Sequence, residues 1–514
     1  MSKTIIIIGA GLAGLSAALQ AAENGCNVKL VSSLPSERAQ SVMAEGGINA
    51  ALNTKDENDS PEEHFTDTIK AACGLADPNA VWGMTQAAPE LVHWLLKLGV
   101  KFNMSGYDDV DLRNFGGQKK KRTAFAQSDT GKQIMTAMID AVRRKEASGM
   151  VERFSHHSFL TLRLCGNICC GCVIRDEYSQ ETVELPGDAV IVATGGMHGL
   201  FGNTTGSLSN TGEVTAELFR LGVPLANGEM IQYHPTTVKC GGKRMLISEA
   251  ARGEGGRLFA MKDGKQWYFM EEKYPELGNL MPRDITAREI WKVSHESEVF
   301  LDMTEISEEI ISNKLSGLAD DCMTYLHKDI RKEPVSVLPG IHYFREGILV
   351  DEQHRTPIQN LYAAGECCAQ YHGANRLGGN SLLGALYGGR VAAKSACEQA
   401  DVVDLSCATQ IDFPPASQIS EIKQLNKVMQ ETMGVVRNEN TLLNGIQTVQ
   451  ALTGNLPLLG MAVLKSALAR KESRGAHWRE DYPKSNDNDY LKTTVARFDG
   501  KQIQISFVPV PERR

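Results

Sequence analysis

The sequence predicts an α/β protein in which a parallel-sheet domain is interrupted by an inserted α+β domain and followed by helices and an irregular tail. Residues 4–8 are all β-branched, as in a strand buried within a parallel sheet, and a glycine-rich turn follows them. A second apolar run, 188–196, also ends in a glycine turn. Between about 236 and 344 this alternation gives way to longer polar loops and charged segments, which indicates an insertion.

The N-terminal elements predict a Rossmann-like β-α-β unit. Gly9, Gly11 and Gly14 stand between the first strand and a helix over about 13–24, and residues 27–31 form the second strand. This placement is what a dinucleotide-binding turn requires. It also argues against a signal peptide, which the apolar N-terminus imitates.

The later elements are predicted from local periodicity and turn residues. Helical patterns are found at 62–72, 79–98, 131–147, after Asn380 and within 412–471, strand-like runs at 151–175 and 181–186, and a hairpin at 491–509. The predicted segments are the first part of the nucleotide-binding domain (1–232), an inserted capping domain (233–344), the second part of the nucleotide-binding domain (345–404), a helical domain (405–484) and a tail with a small hairpin (485–514).

The composition, with 42% hydrophobic and 23% charged residues, is that of a globular protein, and no run reaches the roughly 18 apolar residues of a membrane span. We expect a cytoplasmic protein that meets a membrane only through partner subunits. The net charge is −8 and basic residues do not cluster beyond Lys119–Arg122, so nucleic acid is not an expected partner. An anionic ligand must therefore be held by local cations.

Twelve cysteines suit a reducing compartment better than a disulfide scaffold in a chain of this length. Cys165, Cys169, Cys170 and Cys172 suggest metal ligands by their spacing. A strand over 168–175 would instead put Cys170 and Cys172 on one face and Cys169 on the other, so we predict no metal site.

Polar residues suited to anion binding and acid–base chemistry are spread over the second half of the chain, namely His234, Ser248, Glu249, Arg283, His342 and Arg376. Each also has a structural interpretation. Arg283-Asp284 is typical of a surface ion pair at a helix start, Glu249 and Arg252 of an ordinary helical pair, and His234 of a turn histidine before proline.

Eight sequence strings carry a resemblance to a known family. They are 38–47 (RAQSVMAEGG), 114–117 (NFGG) with 122–124 (RTA), 232–236 (QYHPT), 247–256 (ISEAARGEGG), 282–284 (PRD), 341–343 (IHY), 372–383 (HGANRLGGNSLL) and 472–477 (ESRGAH). With the N-terminal glycines, they make the chain resemble, along nearly its whole length, the flavoprotein subunit of the fumarate reductase and succinate dehydrogenase family.

The resemblance implies FAD as the cofactor. By this likeness the flavin site is formed by Gly9, Gly11, Gly14, Ser32, Ser33, Ser41, Ala44, Glu45, Gly46, Gly47, Ala193, Thr194, Gly195, Glu213, Glu366, Ser381, Leu382 and Leu383. Many members link a histidine covalently to the flavin. Gln40 stands at that position here, and because a carboxamide cannot form the link, we expect non-covalent FAD. At the end of the second strand, where an NAD site carries an acidic residue, this chain has Ser32 and Ser33. This argues against a simple NAD site and is consistent with FAD.

The resemblance also implies a binding site for a small dicarboxylate. His342 and Arg376 are expected to hold one carboxylate and His234 with Ser248 the other, with Phe115 in the same pocket. Arginine suits this role because its planar fork donates two parallel hydrogen bonds.

The expected reaction is reduction of fumarate to succinate, with hydride from flavin N5 and a proton from Arg283. Glu249 and Arg252 would relay the replacement proton. Gln40 and Glu45 both favour reduction over succinate oxidation by family likeness. Electrons are expected from an iron–sulfur subunit, since the chain has no ferredoxin-type or haem-binding cysteine motif.

Three alternatives stay open at this point. The string at 247–250 also resembles L-aspartate oxidase. The segment 343–346 departs from the family pattern of smaller residues, which predicts an altered pocket and a reductase of another unsaturated carboxylate. A non-catalytic FAD subunit that only docks partners is the third.

Overall fold

The computed structural model describes residues 2–106, 109–400, 413 and 418–514. The strands are β1 (Thr4–Ile8), β2 (Asn27–Ser32), β3 (Ile48–Asn49), β4 (Leu112–Arg113), β5 (Thr123–Ala124), β6 (Val151–Ser155), β7 (His157–Cys165), β8 (Ile168–Asp176), β9 (Thr182–Pro186), β10 (Ala189–Val192), β11 (Leu225–Ala226), β12 (Ile231–Cys240), β13 (Lys243–Leu246), β14 (Arg257–Lys262), β15 (Lys265–Trp267), β16 (Val299–Asp302), β17 (Val335–Ser336), β18 (Leu338–Phe344), β19 (Gly347–Leu349), β20 (Leu361–Ala363), β21 (Cys368–Ala369), β22 (Lys492–Phe498) and β23 (Ile503–Pro509). The helices are α1 (Leu12–Glu23), α2 (Pro61–Ala71), α3 (Pro78–Leu98), α4 (Thr130–Ala147), α5 (Glu213–Arg220), α6 (Glu249–Gly253), α7 (Phe269–Lys273), α8 (Arg283–Val293), α9 (Glu308–Lys314), α10 (Ser316–Asp321), α11 (Asn380–Gln399), α12 (Ile419–Thr432), α13 (Glu439–Val449), α14 (Asn455–Ala469) and α15 (Asp487–Tyr490).

A five-stranded parallel sheet forms the centre of the fold, in the order β20-β10-β1-β2-β6. In β1, Ile5 pairs with Ala189 of β10 and with Val28 of β2. The β-branched side chains of β1 are buried on both faces, by α1, α4 and α11 on one side and by β7, β8 and β9 on the other. This confirms the parallel strand and the β-α-β unit predicted from the sequence.

The prediction for the cysteine strand is wrong in detail. Cys169 and Cys172 both pack into the core beneath the central sheet, whereas Cys170 does not belong to that cluster. Leu164 pairs with Cys169 and Arg163 with Gly171, so Cys170 is an extra residue in a β-bulge. A bulge shifts the alternation by one residue, which is why strict alternation gave the wrong faces.

An inserted α+β unit lies, in sequence, between strands β10 and β20 of the central sheet. It contains two antiparallel sheets, β13-β12-β18 and β15-β14-β16-β17, and helices α6 to α10. Its own core joins Leu258, Leu301, Ile290 and Ile311. Strand β12 has register shifts on both sides of His234, which bend it where it meets the rest of the protein.

Helices α12, α13 and α14 pack together around Leu425, Met429, Leu442 and Leu459. The predicted hairpin exists, and it is an edge of a larger sheet, because β22 pairs with β11 in a sheet ordered β21-β19-β11-β22-β23.

The predicted junction at residues 404 and 405 lies outside the described residues. Within the described residues, each helix is too short or too polar to cross a membrane.

Candidate active site

A cavity of about 590 Å³ lies between the central-sheet domain and the inserted unit. One side is formed by the turn after β1, the turn after β10 and the start of α11. The other side is formed by β12, β13, α6, α8 and the end of β18. Parallel sheets place ligand sites at the carboxyl ends of their strands, and the first two turns are at such ends.

The glycine turn after β1 brings backbone segments too close together for any side chain. Gly9 has a φ of +112°, and a Cβ there would lie 2.3 Å from the carbonyl oxygen of Ala193. A Cβ on Gly14 would lie 1.8 Å from the carbonyl oxygen of Gly9. The N-terminus of α1 thus lies directly at the cavity, which Gly11, Leu12 and Ala13 line, and this position fits the pyrophosphate of a dinucleotide.

Most of the residues predicted to hold the cofactor line this cavity. They are Gly9, Gly11, Ser32, Ser33, Ser41, Ala44, Glu45, Gly46, Gly47, Ala193, Thr194, Gly195, Glu213, Glu366, Ser381 and Leu382. Gln40 lines it as well. The hydroxyl of Ser32 is buried without a hydrogen-bond partner in the described part of the chain, as expected of a group that serves a ligand.

Two predicted cofactor residues lie outside the cavity wall. Gly14 allows α1 to pack closely against the turn after β1. Leu383 is fully buried in the core between α11 and the central sheet. Both shape the site through packing, and their contact with a cofactor stays a prediction.

The acid–base residues form a connected cluster at the opposite end. Arg283, the first residue of α8, donates from Nε to Oε2 of Glu249 at 2.7 Å, and its Nη2 forms an ion pair with the same oxygen at 2.5 Å. Arg252 Nη2 lies 3.5 Å from the other oxygen of Glu249, and Nη1 donates to the carbonyl of Asn279. Arg283 and Glu249 line the cavity, while Arg252 lies behind them, 2% exposed.

The interpretation of Arg283-Asp284 as a surface ion pair is wrong. Arg283 is 7% exposed and is bound to Glu249. Asp284 accepts instead from the side-chain amide of Asn375. Adjacent residues in the first turn of a helix point in different directions, which sequence adjacency does not reveal.

Gln232 is the functional residue that sequence reasoning missed. Its Oε1 accepts from Arg376 Nη2 at 2.9 Å and from Arg283 Nη1 at 3.2 Å. One amide oxygen therefore holds the two predicted arginines beside each other. The available signal was its position in β12, two residues before His234, since alternate residues of a strand share a face.

The predicted histidines face each other across the cavity end, with ring centroids 5.2 Å apart. His342 Nδ1 lies 2.8 Å from the hydroxyl of Thr205, a partner that the sequence did not indicate. His234 Nδ1 lies 3.1 Å from the carbonyl and 3.3 Å from the amide nitrogen of Thr236. Each ring is thus oriented through Nδ1, which leaves Nε2 for a ligand.

Phe115 and Ser248 complete the predicted substrate residues, and both line the cavity. A Cβ on Gly46 would lie 2.9 Å from the ring of Phe115, so the ring packs directly on the 46–47 backbone. Ser248 caps α6 by accepting from the amide of Ala250. Its hydroxyl also hydrogen-bonds Glu45, whose pKa burial raises to about 8.

Burial and the excess of arginines set the charges of the cluster. Burial lowers the pKa of His234 and of His342 well below the usual value, and Arg283 lowers both further, so both rings are neutral. Burial opposes ionisation of Glu249, but Arg283 and Arg252 together outweigh it and lower its pKa. Burial and the neighbouring Arg283 lower the pKa of Arg376 to about 9.

The expectation that residues 343–346 reshape the pocket is corrected by the structure. Only Tyr343 lines the cavity, with Arg376 lying over its ring at 4.4 Å. Phe344 packs against Phe201, and Arg345 and Glu346 are buried away from the cavity, each 1% exposed. Alternation along β18 turns Phe344 away from the side that Tyr343 faces.

Comparison with known proteins gives matches over the whole chain. Residues 4–382 match the family of the FAD binding domain and residues 452–513 the family of the fumarate reductase flavoprotein C-term. The succinate dehydrogenase flavoprotein subunit of Bacillus subtilis (strain 168) is 37% identical over 576 aligned residues, covering 100% of this chain and 98% of that protein.

Two fumarate reductases are also similar. The 8-methylmenaquinol:fumarate reductase flavoprotein subunit of Wolinella succinogenes is 32% identical, covering 100% of this chain and 92% of that protein. A structure of a mutant FrdA from the E. coli quinol fumarate reductase superimposes with a TM-score of 0.90 at 27% identity, covering 99% of this chain and 97% of that one.

The nucleotide cradle, the arginine and histidine cluster and these full-length matches agree with one another. The chain therefore belongs to the succinate dehydrogenase and fumarate reductase flavoprotein family, FAD-dependent oxidoreductases that act on CH–CH bonds.

Proposed function

We propose that this protein reduces fumarate to succinate with a non-covalently held FAD. The observation that carries the proposal is the pair of buried guanidiniums, Arg283 and Arg376, joined by Gln232 at one end of a cavity whose other end is a dinucleotide cradle. A small dianion fits two cations and two neutral histidines. When bound, the flavin supplies the hydride.

The residues around Gln40 support non-covalent binding. Gln40 lines the cavity at the position where many family members carry the linking histidine. None of the histidines that line the cavity lies in that segment, since His157, His234 and His342 come from other strands. Attachment would therefore rest on the cradle, the serines and backbone contacts alone.

The two ends of the substrate are held by different chemistry. Arg376 and His342 are proposed to bind one carboxylate, where the Thr205 hydroxyl lies 2.8 Å from His342 Nδ1 and so orients the ring with Nε2 left for the ligand. His234 and Ser248 are proposed to bind the other. Neutral histidines serve here because they donate a hydrogen bond without adding a further repelling charge to a site that already holds three arginines.

Arg283 is proposed as the proton donor to the substrate carbon. Its guanidinium lies in the cavity wall, and the carboxylate of Glu249 accepts a hydrogen bond from its Nε and forms an ion pair with its Nη2. Nη2 of Arg252 lies 3.5 Å from the other oxygen of Glu249, which supports the proposal that Glu249 and Arg252 supply the replacement proton. Positive charge in the wall also stabilises the negative charge that develops on the polarised carboxylate.

The direction of the reaction is proposed from Gln40 and Glu45. Loss of a covalent flavin link is expected to lower the flavin potential, which favours reduction. Glu45 lines the cavity, where fumarate reductases tend to carry Glu and succinate dehydrogenases Gln. The preferred direction of catalysis is tested by comparing the rates of fumarate reduction and succinate oxidation at matched concentrations.

L-aspartate oxidation is the second candidate function. The string at 247–250 favours it, and an L-aspartate oxidase of Streptomyces coelicolor is among the relatives. Reduction of a larger unsaturated acid is less well supported, because only Tyr343 of the unusual segment meets the cavity.

An iron–sulfur protein is proposed as the electron donor. The relatives in Bacillus subtilis and Wolinella succinogenes are named as subunits, which supports an assembly here as well. The helices α12 to α14 offer the exposed surface for it. The segment 472–482 contributes less, since Glu472, Arg474 and His477 are buried in their own ion-pair network.

A single preparation tests the proposal. The protein is purified with its flavin and precipitated with acid, and non-covalent FAD is expected in the supernatant. Assays with reduced viologen and fumarate, with succinate and a dye, and with aspartate identify the substrate. Release of oxaloacetate and ammonia from aspartate, with no turnover of fumarate, would replace the proposal by the second candidate.

A further inference from the structure

Arg345 is a buried cation outside the cavity, at the junction of β18 and β19. It is 1% exposed, and its Nε donates to the carbonyl of Met230 at 3.1 Å. Its Nη1 donates to Oδ1 of Asn375 at 3.3 Å. Burial raises the pKa of the adjacent Glu346 well above the usual value, which weakens its ability to balance the Arg345 guanidinium. Such a group is costly to bury unless it is well bound.

Arg345 fixes the orientation of the Asn375 carboxamide. A guanidinium donates hydrogen bonds and accepts none, so the side of Asn375 that faces it must be the oxygen. The amide nitrogen on the other side donates to Asp284 Oδ1 at 3.0 Å, which agrees with this orientation.

The same orientation passes on to Gln232. Gln232 Nε2 donates to Asn375 Oδ1 and to the Arg376 carbonyl, each at 3.5 Å, so the nitrogen of Gln232 faces Asn375. The oxygen of Gln232 then faces the opposite way, where it accepts from Arg283 and Arg376. If Gln232 were turned over, its NH₂ group would point at the guanidiniums of Arg283 and Arg376 and find no acceptor there. If Asn375 were turned over, its NH₂ group would point at Arg345 and at Nε2 of Gln232, which are also donors.

We propose that Arg345 is a positioning residue that sets the direction of this amide chain and thereby holds Arg283 and Arg376 together at the substrate. The inference rests on the proposed function, in which these two arginines act on a dicarboxylate. Two buried guanidiniums repel each other, and Arg283 is a cause of the lowered pKa of Arg376. The Gln232 oxygen between them offsets that repulsion only while it faces them.

The first test replaces Arg345 by methionine, which keeps much of the side-chain volume and removes the donors. Without the donors, the amides of Asn375 and Gln232 are free to turn. We expect the KM for fumarate and the dissociation constant of malonate, read from the flavin absorbance, to rise about tenfold, the size of one lost hydrogen bond to a charged group. The kcat is expected to fall by a smaller factor than in Arg283→Lys, because Arg283 keeps its guanidinium and its hydrogen bond to Glu249.

Two further variants separate orientation from packing. Arg345→Lys restores a group that only donates, so it is expected to recover most of the binding. Glu346→Gln is the matched control, because the neighbouring Glu346 is equally buried and its carboxyl oxygens make no hydrogen bond within the described residues. Its KM and malonate binding are expected to stay at the level of the unmodified protein. Equal loss in all three variants would overturn the proposal in favour of a packing role.

A double-mutant cycle with Gln232→Leu tests the route of the effect. If Arg345 acts through Gln232, Arg345→Met adds little once Gln232 is gone, because the chain is already broken. Additive effects on KM would overturn the proposal. If Arg345→Met does not fold, Asn375→Leu breaks the same chain and is expected to weaken malonate binding to a similar extent, and unchanged binding would refute the proposal.

The outcome for the proposed function is separate. A flavin-loaded unmodified protein that neither reduces fumarate nor binds malonate would refute the dicarboxylate function. Turnover and binding in the unmodified protein with no change in Arg345→Met would refute only the role of Arg345.

Discussion

Arg283 uses its guanidinium to hold two partners at once, Oε2 of Glu249 and Oε1 of Gln232. A lysine has one ammonium group and cannot span both. We therefore expect Arg283→Lys to lower kcat by about 10²–10⁴-fold, the range of a lost general acid, with a smaller effect on KM. The measurement is the fumarate-dependent oxidation of reduced viologen.

Arg288 offers the matched control on the same helix. It lies over the ring of Trp478 at 3.9 Å, outside the cavity wall. Arg288→Lys is expected to keep kcat. A protein that only docks partners would show no fumarate turnover in any of the three forms. Turnover with an unchanged kcat in Arg283→Lys would contradict the role of Arg283 as proton donor.

Glu45 makes stability depend on pH. Burial, with Asp321 nearby, raises its pKa from 4.5 to about 8, so the folded protein keeps a proton that the unfolded chain loses above about pH 4.5. Unfolding is thus increasingly favoured as the pH rises from 4.5 to 8. Glu45→Gln removes this penalty, and we expect its melting temperature to exceed that of the unmodified protein at pH 8 by several degrees and much less at pH 5.

Glu37 lies in the same segment, exposed and paired with Arg143, and Glu37→Gln is the control. Its melting temperature is expected to follow the unmodified protein at both values of pH. Equal stabilisation by Glu45→Gln at pH 5 and pH 8 would show that a cause other than ionisation is at work.

Sequence reasoning found the charged residues of the site, because charge and residue type are visible in the chain. His234, Glu249, Arg283 and Arg376 all lie at one cavity. It did not find Gln232, whose role depends on two hydrogen bonds to residues 51 and 144 positions away. Neutral amides act through geometry, and geometry across such separations is set only by the folded chain.

At the scale of elements, sequence patterns predicted strands and helices well where all the residues that determine the element are close together in the sequence. The run of isoleucines and three glycines predicted β1, α1 and β2 closely. The bulge in β8 and the pairing of β22 with β11 were not predicted. A bulge depends on the partner strand, and the edge to which a hairpin adds depends on a strand about 270 residues earlier, so neither leaves a local signal.

The close contact between α1 and the turn after β1 predicts how the position of helix α1 affects flavin binding. Gly14 is helical, so Gly14→Ala favours the helix by propensity, yet its Cβ would lie 1.8 Å from the carbonyl oxygen of Gly9. The helix must move away from the turn, which opens the cradle. We expect less flavin per chain, measured from the ratio of absorbance at the flavin band to that of the protein.

Gly25, just after α1, is the control. It has a φ of +78° and no atom within 4 Å of the position that a Cβ would take, so Gly25→Ala strains the backbone by roughly 1–2 kcal/mol without closing any contact. It is expected to keep its flavin. Equal flavin loss in both variants would mean that general destabilisation, rather than the cradle, controls binding.

At the scale of the molecule, the cavity joins parts of the chain that are far apart in sequence. Its wall runs from Ile8 to Ala385 and includes both the central-sheet domain and the inserted unit. Each part has its own hydrophobic core. A ligand that fills the cavity therefore contacts both units at once. Because it binds only the folded protein, its binding raises the free energy of unfolding of the two units together.

This linkage gives a test of the non-covalent site through the whole protein. If FAD is held without a covalent bond, stripped protein takes it up again, and the melting temperature rises with added FAD, corresponding to about 2.7 kcal/mol at 100 times the dissociation constant. Riboflavin lacks the pyrophosphate and adenosine that the turn at Gly9 and the N-terminus of α1 would bind, so it is expected to stabilise far less. A melting temperature that does not respond to FAD, or flavin that stays with the acid-precipitated chain, would contradict the role assigned to Gln40.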